Sequence, residues 1–130
     1  MSAKPALVWI AFLGYCSVVF VGSCISRVPD ELSRIPDYVL HAGEFFVMGV
    51  LAHLAFRARP LSWRVSIAAL AAFVFCVVFG LTDELHQFFV EGRSSTIKDV
   101  GADAVGAGAA QVAVMLHAKL RGTLSGAAER

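Results

Sequence analysis

The sequence predicts an all-α integral membrane protein, a four-helix bundle, and three observations carry that prediction. The 130 residues are 58% hydrophobic and only 16% charged, whereas a soluble domain carries about 25% charged residues. The mean hydropathy is +0.71, and a chain this short has proportionally more surface to solvate than a large one. Four runs almost free of charge are each long enough for a helix to cross the hydrocarbon, which takes roughly 20 apolar residues. A membrane barrel would instead show alternating segments of about 10 residues.

The first run, residues 5–25, carries no acid, Lys, Arg or His. Its apolar stretch is longer than a signal-peptide core, and Lys4 is the only base before it, so it reads as a retained helix. Val21-Gly22-Ser23-Cys24 resembles a lipoprotein cleavage box only loosely. The second helix, 38–56, is interrupted by His41, Glu44 and His53. The third is charge-free from 65 to 82 and continues through Asp83, Glu84, His86 and Gln87 to residue 90. The fourth, 99–118, carries Asp99, Asp103, Gln111 and His117. One domain thus spans 1–121, followed by a small, polar, flexible tail over 122–130.

The connections differ in kind. Residues 57–64 hold three arginines, no acid and Pro60, a tight basic turn. Pro29 and Pro36 bracket Val28, Leu32 and Ile35 at helical spacing, expected as a short interfacial helix. Residues 91–99 read as a polar loop. Lys4, Arg57, Arg59, Arg64, Lys119, Arg121 and Arg130, seven of eleven bases, fall on one side of the membrane. The positive-inside rule therefore places both termini in the cytoplasm, and Trp9 and Trp63 fit that interface. A net charge of +1 excludes a nucleic-acid partner.

Nine of the ten acids, all but Glu129, lie in the opposite, outer half. Ionisable groups within a bilayer are costly and generally face protein or water. His41 and Glu44 are three apart and share a face of helix 2. Asp83 and Gln87 are four apart on helix 3, flanked by Glu84 and His86. Asp99 and Asp103 are four apart on helix 4, on the face of Ala102, Gly106 and Ala110. Such a small-residue ribbon lets a neighbouring backbone approach, so the two aspartates are expected to point into the bundle. Small-residue ribbons also allow self-association of the whole chain.

So many carboxylates need protons, bases or a cation. Arg93, Lys98, His41 and His86 are the nearby bases, and Arg93 can clamp a carboxylate or an anionic ligand in bidentate fashion. No compact metal motif such as His-Glu-x-x-His is present. No metal and no cofactor is expected, and His41, Glu44 and His86 are the candidate ligands if a metal binds. Cys16, Cys24 and Cys76 lack Cys-x-x-Cys spacing and read as small hydrophobes. His53 and His117 read as packing or interfacial residues.

These same residues resemble the signatures of the VanZ-like family. His41-Ala-Gly-Glu44-Phe-Phe, preceded by Asp37, is similar to the first. The second runs from Asp83-Glu84-Leu-His-Gln87 through Gly92-Arg93 and Ser94-Ser-Thr-Ile-Lys-Asp99 to Asp103-Ala-Val-Gly106. Two positions depart from the family pattern: Tyr38 stands where a Lys is frequent, and Asp103 where Asn is frequent. The resemblance implies a bacterial, multi-pass protein of the cytoplasmic (inner) membrane, in a family named for a member associated with teicoplanin resistance. It also implies a signature polar cluster of Asp37, His41, Glu44, Asp83, Glu84, Gln87, Arg93, Asp99 and Asp103.

Three functions compete. In the first, the outer-face cluster binds an amphipathic anionic ligand, such as a membrane lipid, a lipid-linked cell-envelope intermediate or a glycopeptide antibiotic. In the second, the protein is an enzyme on such a substrate. Glu84 or His86 is then the general base, Asp83 orients it, and Arg93 stabilises developing negative charge. In the third, the protein is a structural or accessory subunit, and interhelical salt bridges merely fix the register of the helices.

Overall fold

The computed structural model describes residues 4–25, 35–92 and 96–128, with side chains to residue 122. The chain forms four helices: α1 (Pro5–Ser23), α2 (Asp37–Arg57), α3 (Val65–Gln87) and α4 (Ile97–Ala128). Each is long and apolar enough to cross a membrane, and there is no strand among the described residues.

Local chemistry sets several of the ends. Pro5 opens α1, where its missing N–H costs nothing. Asp37 in the first turn of α2 and Asp99 in that of α4 suit the positive end of the helix dipole. The third helix stops at Gln87, short of the expected residue 90. Phe89 and Val90 instead bond back to the carbonyls of His86 and Gln87, and Gly92 turns the chain at φ 81°. The fourth continues to Ala128, past the expected end at 118 and into the segment read as a flexible tail. That stretch has no proline, and its Leu and Ala residues favour helix over the two glycines it contains. The interfacial helix expected near Pro29 falls largely on residues 26–34 and lies outside the described residues.

Two hydroxyls on the apolar helices are satisfied within their own helix. Ser17 and Thr82 donate to the carbonyls of Leu13 and Val78 at 3.0 and 2.8 Å.

The second helix is the hub, packing on all three others, and its interface with α4 is the most extensive. These two helices run parallel. His41 meets Asp103, Gly106 lies on the Ala42 backbone, Gly49 lies on Ala110, and His53 meets Gln111. A β-carbon on Gly106 would collide with the Ala42 carbonyl, and one on Gly49 would reach Ala110 Cβ at 2.9 Å. Small residues are what let helices approach in lipid, where no hydrophobic force drives them together.

At the lower end of this seam Gln111 Nε2 donates to the Gly49 carbonyl at 3.0 Å. Its Oε1 therefore faces His53, whose Nδ1 donates at 3.2 Å. The expectation that His53 is a packing residue is met by that geometry. On the other side, α1 docks through aromatic rings. Phe12 meets Phe75 edge to face at 5.1 Å and Phe56 at 5.9 Å. Trp9 donates to the Arg59 carbonyl at 3.0 Å, so both tryptophans gather at the end holding the basic turn. Elsewhere large apolar side chains such as Leu70 and Val105 face outward, as a lipid-covered surface requires.

Two glycines of α4 give opposite expectations. Replacing a mid-helix glycine by alanine is worth about 1 kcal/mol in helix propensity. A β-carbon on Gly101 meets nothing, so Gly101→Ala should hold or raise the thermal unfolding midpoint in detergent. At Gly106 the collision with backbone costs about 1–3 kcal/mol and outweighs that gain, so Gly106→Ala should lower the midpoint. Equal responses of the two variants would contradict this packing.

Candidate functional site

Three helix ends meet where α2 and α4 begin and α3 finishes. Asp83, Glu84, Asp99 and Asp103 are each no more than 5% exposed, and His41 and Gln87 are buried with them. The sequence expectation that the two aspartates of α4 face inward is met, and both sit on the seam side of that helix.

His41 is the centre. Its Nδ1 lies 2.9 Å from Asp103 Oδ1, and its Nε2 lies 3.9 Å from Glu84 Oε1. One imidazole therefore spans to carboxylates from two other helices. Gly80, one turn before Asp83, leaves the room in which Asp103 sits. A β-carbon there would come within 2.7 Å of Asp103 Oδ2 and 3.2 Å of the Phe45 ring. Asp83 and Gln87 meet as their spacing predicts, the amide donating to Asp83 Oδ2 at 2.9 Å. Asp83 Oδ1 and Asp103 Oδ2 are buried without a hydrogen-bond partner among the described residues.

Thr96 ties α3 to the start of α4. Its N–H donates to Glu84 Oε2 at 3.1 Å, and its hydroxyl donates to Asp99 Oδ2 at 2.6 Å. Sequence reasoning placed Thr96 in a polar loop and within the second signature stretch, without assigning it a role. The Thr-x-x-Asp spacing, a helix-start signal, is what would have singled it out. Gly80 carries no comparable signal.

Not every residue singled out in the sequence arrives at this centre. Asp37 is exposed, at its rim. Glu44 shares a face with His41 by spacing but is exposed, and its backbone carbonyl accepts a bond from Tyr15 of α1 at 3.2 Å. His86 points to α1 as well, with Nε2 3.2 Å from Cys24 Sγ and its ring against Phe20. That placement turns the His86 ring toward α1. Arg93 lies outside the described residues. The trio His41, Glu44 and His86 is not brought together as a metal-ligand set. Instead, Asp37, His41 and Asp99 each offer a ligand atom, all within 4.8 Å of one another.

A groove runs beside the cluster. Tyr38 and Ala42 of α2 and Lys98, Gly101, Ala102 and Val105 of α4 line a cavity of about 390 Å³ whose walls are almost wholly apolar. Tyr38, Ala42, Lys98 and Ala102 each adjoin a cluster residue in the chain: Asp37, His41, Asp99 and Asp103. Lys98, at its charged end, has no ion-pair partner among the described residues.

Four membrane-crossing helices around a buried histidine–carboxylate cluster define a small multi-pass membrane protein. The family model described as VanZ/LLP1 matches residues 7–118, and the chain belongs to that family. No curated protein and no solved structure gives a significant match.

The His41–Asp103 contact sets the cost of disturbing the cluster. Leaving one buried partner unsatisfied costs about 1–3 kcal/mol. His41→Leu and Asp103→Leu should each destabilise by about that amount in detergent unfolding. The double variant should lose less than the sum of the two, because neither polar partner remains stranded. Strict additivity would show that the two side chains are not coupled.

Proposed function

We propose that this protein binds an amphipathic anionic ligand at the outer face of the bacterial cytoplasmic membrane. A membrane lipid, a lipid-linked cell-envelope intermediate or a lipoglycopeptide antibiotic has the required chemistry. The observation that carries this reading is the groove between α2 and α4. It offers an apolar channel for a chain, opens beside a buried polar cluster, and has an exposed lysine at its charged end. A chain in the groove puts its headgroup near Lys98 and the start of α4, both of which favour an anion. The basic 57–64 turn at the opposite end of the bundle supports a cytoplasmic location for that end, and hence an outward-facing groove.

The enzymatic reading has one observation of its own. The His41–Asp103 contact, with Glu84 Oε1 3.9 Å from the other imidazole nitrogen, is an arrangement that can pass a proton. Glu84→Gln preserves shape and removes that capacity. A folded variant with full function would exclude the enzyme and leave the binder.

Native mass spectrometry of the purified protein with phosphatidylglycerol and phosphatidylcholine tests the binding reading. The anionic lipid should be retained preferentially. Lys98→Ala should reduce that preference about fivefold, the equivalent of about 1 kcal/mol for one base near a headgroup. Ala102→Leu, which fills the groove, should weaken both lipids. Equal retention of the two lipids, unchanged by either substitution, would rule the reading out.

A further inference from the structure

We propose that Asp37, His41 and Asp99 bind a divalent transition-metal cation of the zinc or manganese type. The three ligand atoms come from two helices and lie within 4.8 Å of one another. Ligand atoms about 2.0–2.2 Å from a metal stand roughly 3–4 Å apart, so small side-chain rotations close the set. Spacing assists this. Asp37 and His41 are one turn apart on α2, Asp99 is at the matching level of α4, and the Gly106–Ala42 approach clamps the two helices just below.

Two further observations point to a cation, beyond the proximity of acids. The first is the ring of His41. Asp103 holds Nδ1 at 2.9 Å, and a carboxylate on the far nitrogen of an imidazole is the usual support for a metal-ligating histidine, fixing its orientation and raising its basicity. The second is uncompensated buried charge. Asp103, 1% exposed, has Oδ2 without a partner, and Asp83 Oδ1 is likewise unpartnered. Among the described residues no Lys or Arg pairs with Asp37, Asp83, Asp99 or Asp103. Buried carboxylates such as Asp83, Asp99 and Asp103 need a counter-charge, and a divalent ion beside them supplies it.

The donor set selects the class of metal. One imidazole with two carboxylates suits zinc or manganese, whereas calcium and magnesium take all-oxygen shells and copper(I) takes sulfur. Cys24 and His86, the remaining soft donors at this end, are engaged with each other on the α1 side. Asp37 is exposed and gives the ion a route in from water. This inference does not depend on the lipid reading, because it concerns the cluster and not the groove.

The test uses the full chain purified in detergent, stripped with EDTA and titrated with ZnCl₂ or MnCl₂. Metal per chain is then counted by mass spectrometry of the elements after desalting. One saturable ion per chain is expected. Asp37→Asn should weaken its binding by at least about tenfold, and Asp103→Asn, which removes support and not a ligand, by about ten- to a hundredfold. Asp37 is at the rim, so its variant should match the wild-type melting temperature without metal and lose only the rise that metal produces. Glu91→Gln, an exposed acid at the same end, should bind as the wild type does. The assignment is overturned if the wild-type chain takes up no saturable ion. It is equally overturned if uptake survives both Asp37→Asn and Asp99→Asn unchanged, or if only calcium or magnesium binds.

Discussion

Gly106 resting on the Ala42 carbonyl is the contact from which the rest of this structure is arranged. Two parallel helices that close hold the residues one turn nearer their starts face to face. His41 and Asp103 meet there, and Asp37 and Asp99 stand one further turn out. Below the contact, the same proximity brings Gln111 onto the Gly49 carbonyl and His53. Lipid supplies no hydrophobic force between helices, so small-residue packing and interhelical hydrogen bonds must hold them. The seam uses both, with polar pairs at either end of a run of glycines and alanines. The third helix then joins through Gly80, whose missing side chain admits Asp103.

The polar pairs at the two ends of the seam are not alike. His53 and Gln111 form an interhelical hydrogen bond that leaves no carboxylate to balance. The outer cluster buries four carboxylates, and His41 lies between two of them, Asp103 and Glu84. If register were the cluster's whole purpose, acids would be matched by bases from facing helices. A well-packed apolar replacement would moreover often be the more stable choice. The cluster is thus an expensive way to lock helices, and it leaves Asp103 Oδ2 unpartnered against Gly80. That imbalance weighs against a purely structural role.

Much of this is legible in the sequence. The four helices follow from charge-free runs, because a bilayer penalises charge more uniformly than a soluble core does. The convergence of the acids on one depth follows from helix lengths. The inward face of Asp99 and Asp103 follows from Gly106 and Ala110, and the Asp83–Gln87 bond follows from i, i+4 spacing. What spacing cannot supply is the rotation of a helix against several neighbours at once. His41 and Glu44 share a face by arithmetic, yet the boundary between α4 and α1 falls between them. His86 is carried to α1 by the same effect, because Asp83, Glu84 and Gln87 take the interior of α3. The groove was equally hidden: it arises where Gly101 and Ala102 leave space unfilled, and no single residue announces an empty volume.

The groove and the cluster make opposite electrostatic demands, and that conflict bears on how they work together. A headgroup phosphate at the mouth of the groove meets Lys98, but it also approaches Asp37 and Asp99 on the neighbouring positions of the same two helices. One exposed base is worth about 1 kcal/mol to an anion near a membrane surface, and two nearby carboxylates oppose it. A divalent ion on Asp37, His41 and Asp99 would cancel the negative charge of that end, since two carboxylates and a neutral imidazole around such an ion carry no net charge. With three protein ligands, an ion of this kind also keeps a position open for an oxygen from outside. The anionic headgroup would then be drawn by the metal and by Lys98 together, with its chain laid between α2 and α4. On this view the excess of acid is not at odds with an anionic ligand; it is what allows the protein to hold the cation that receives one.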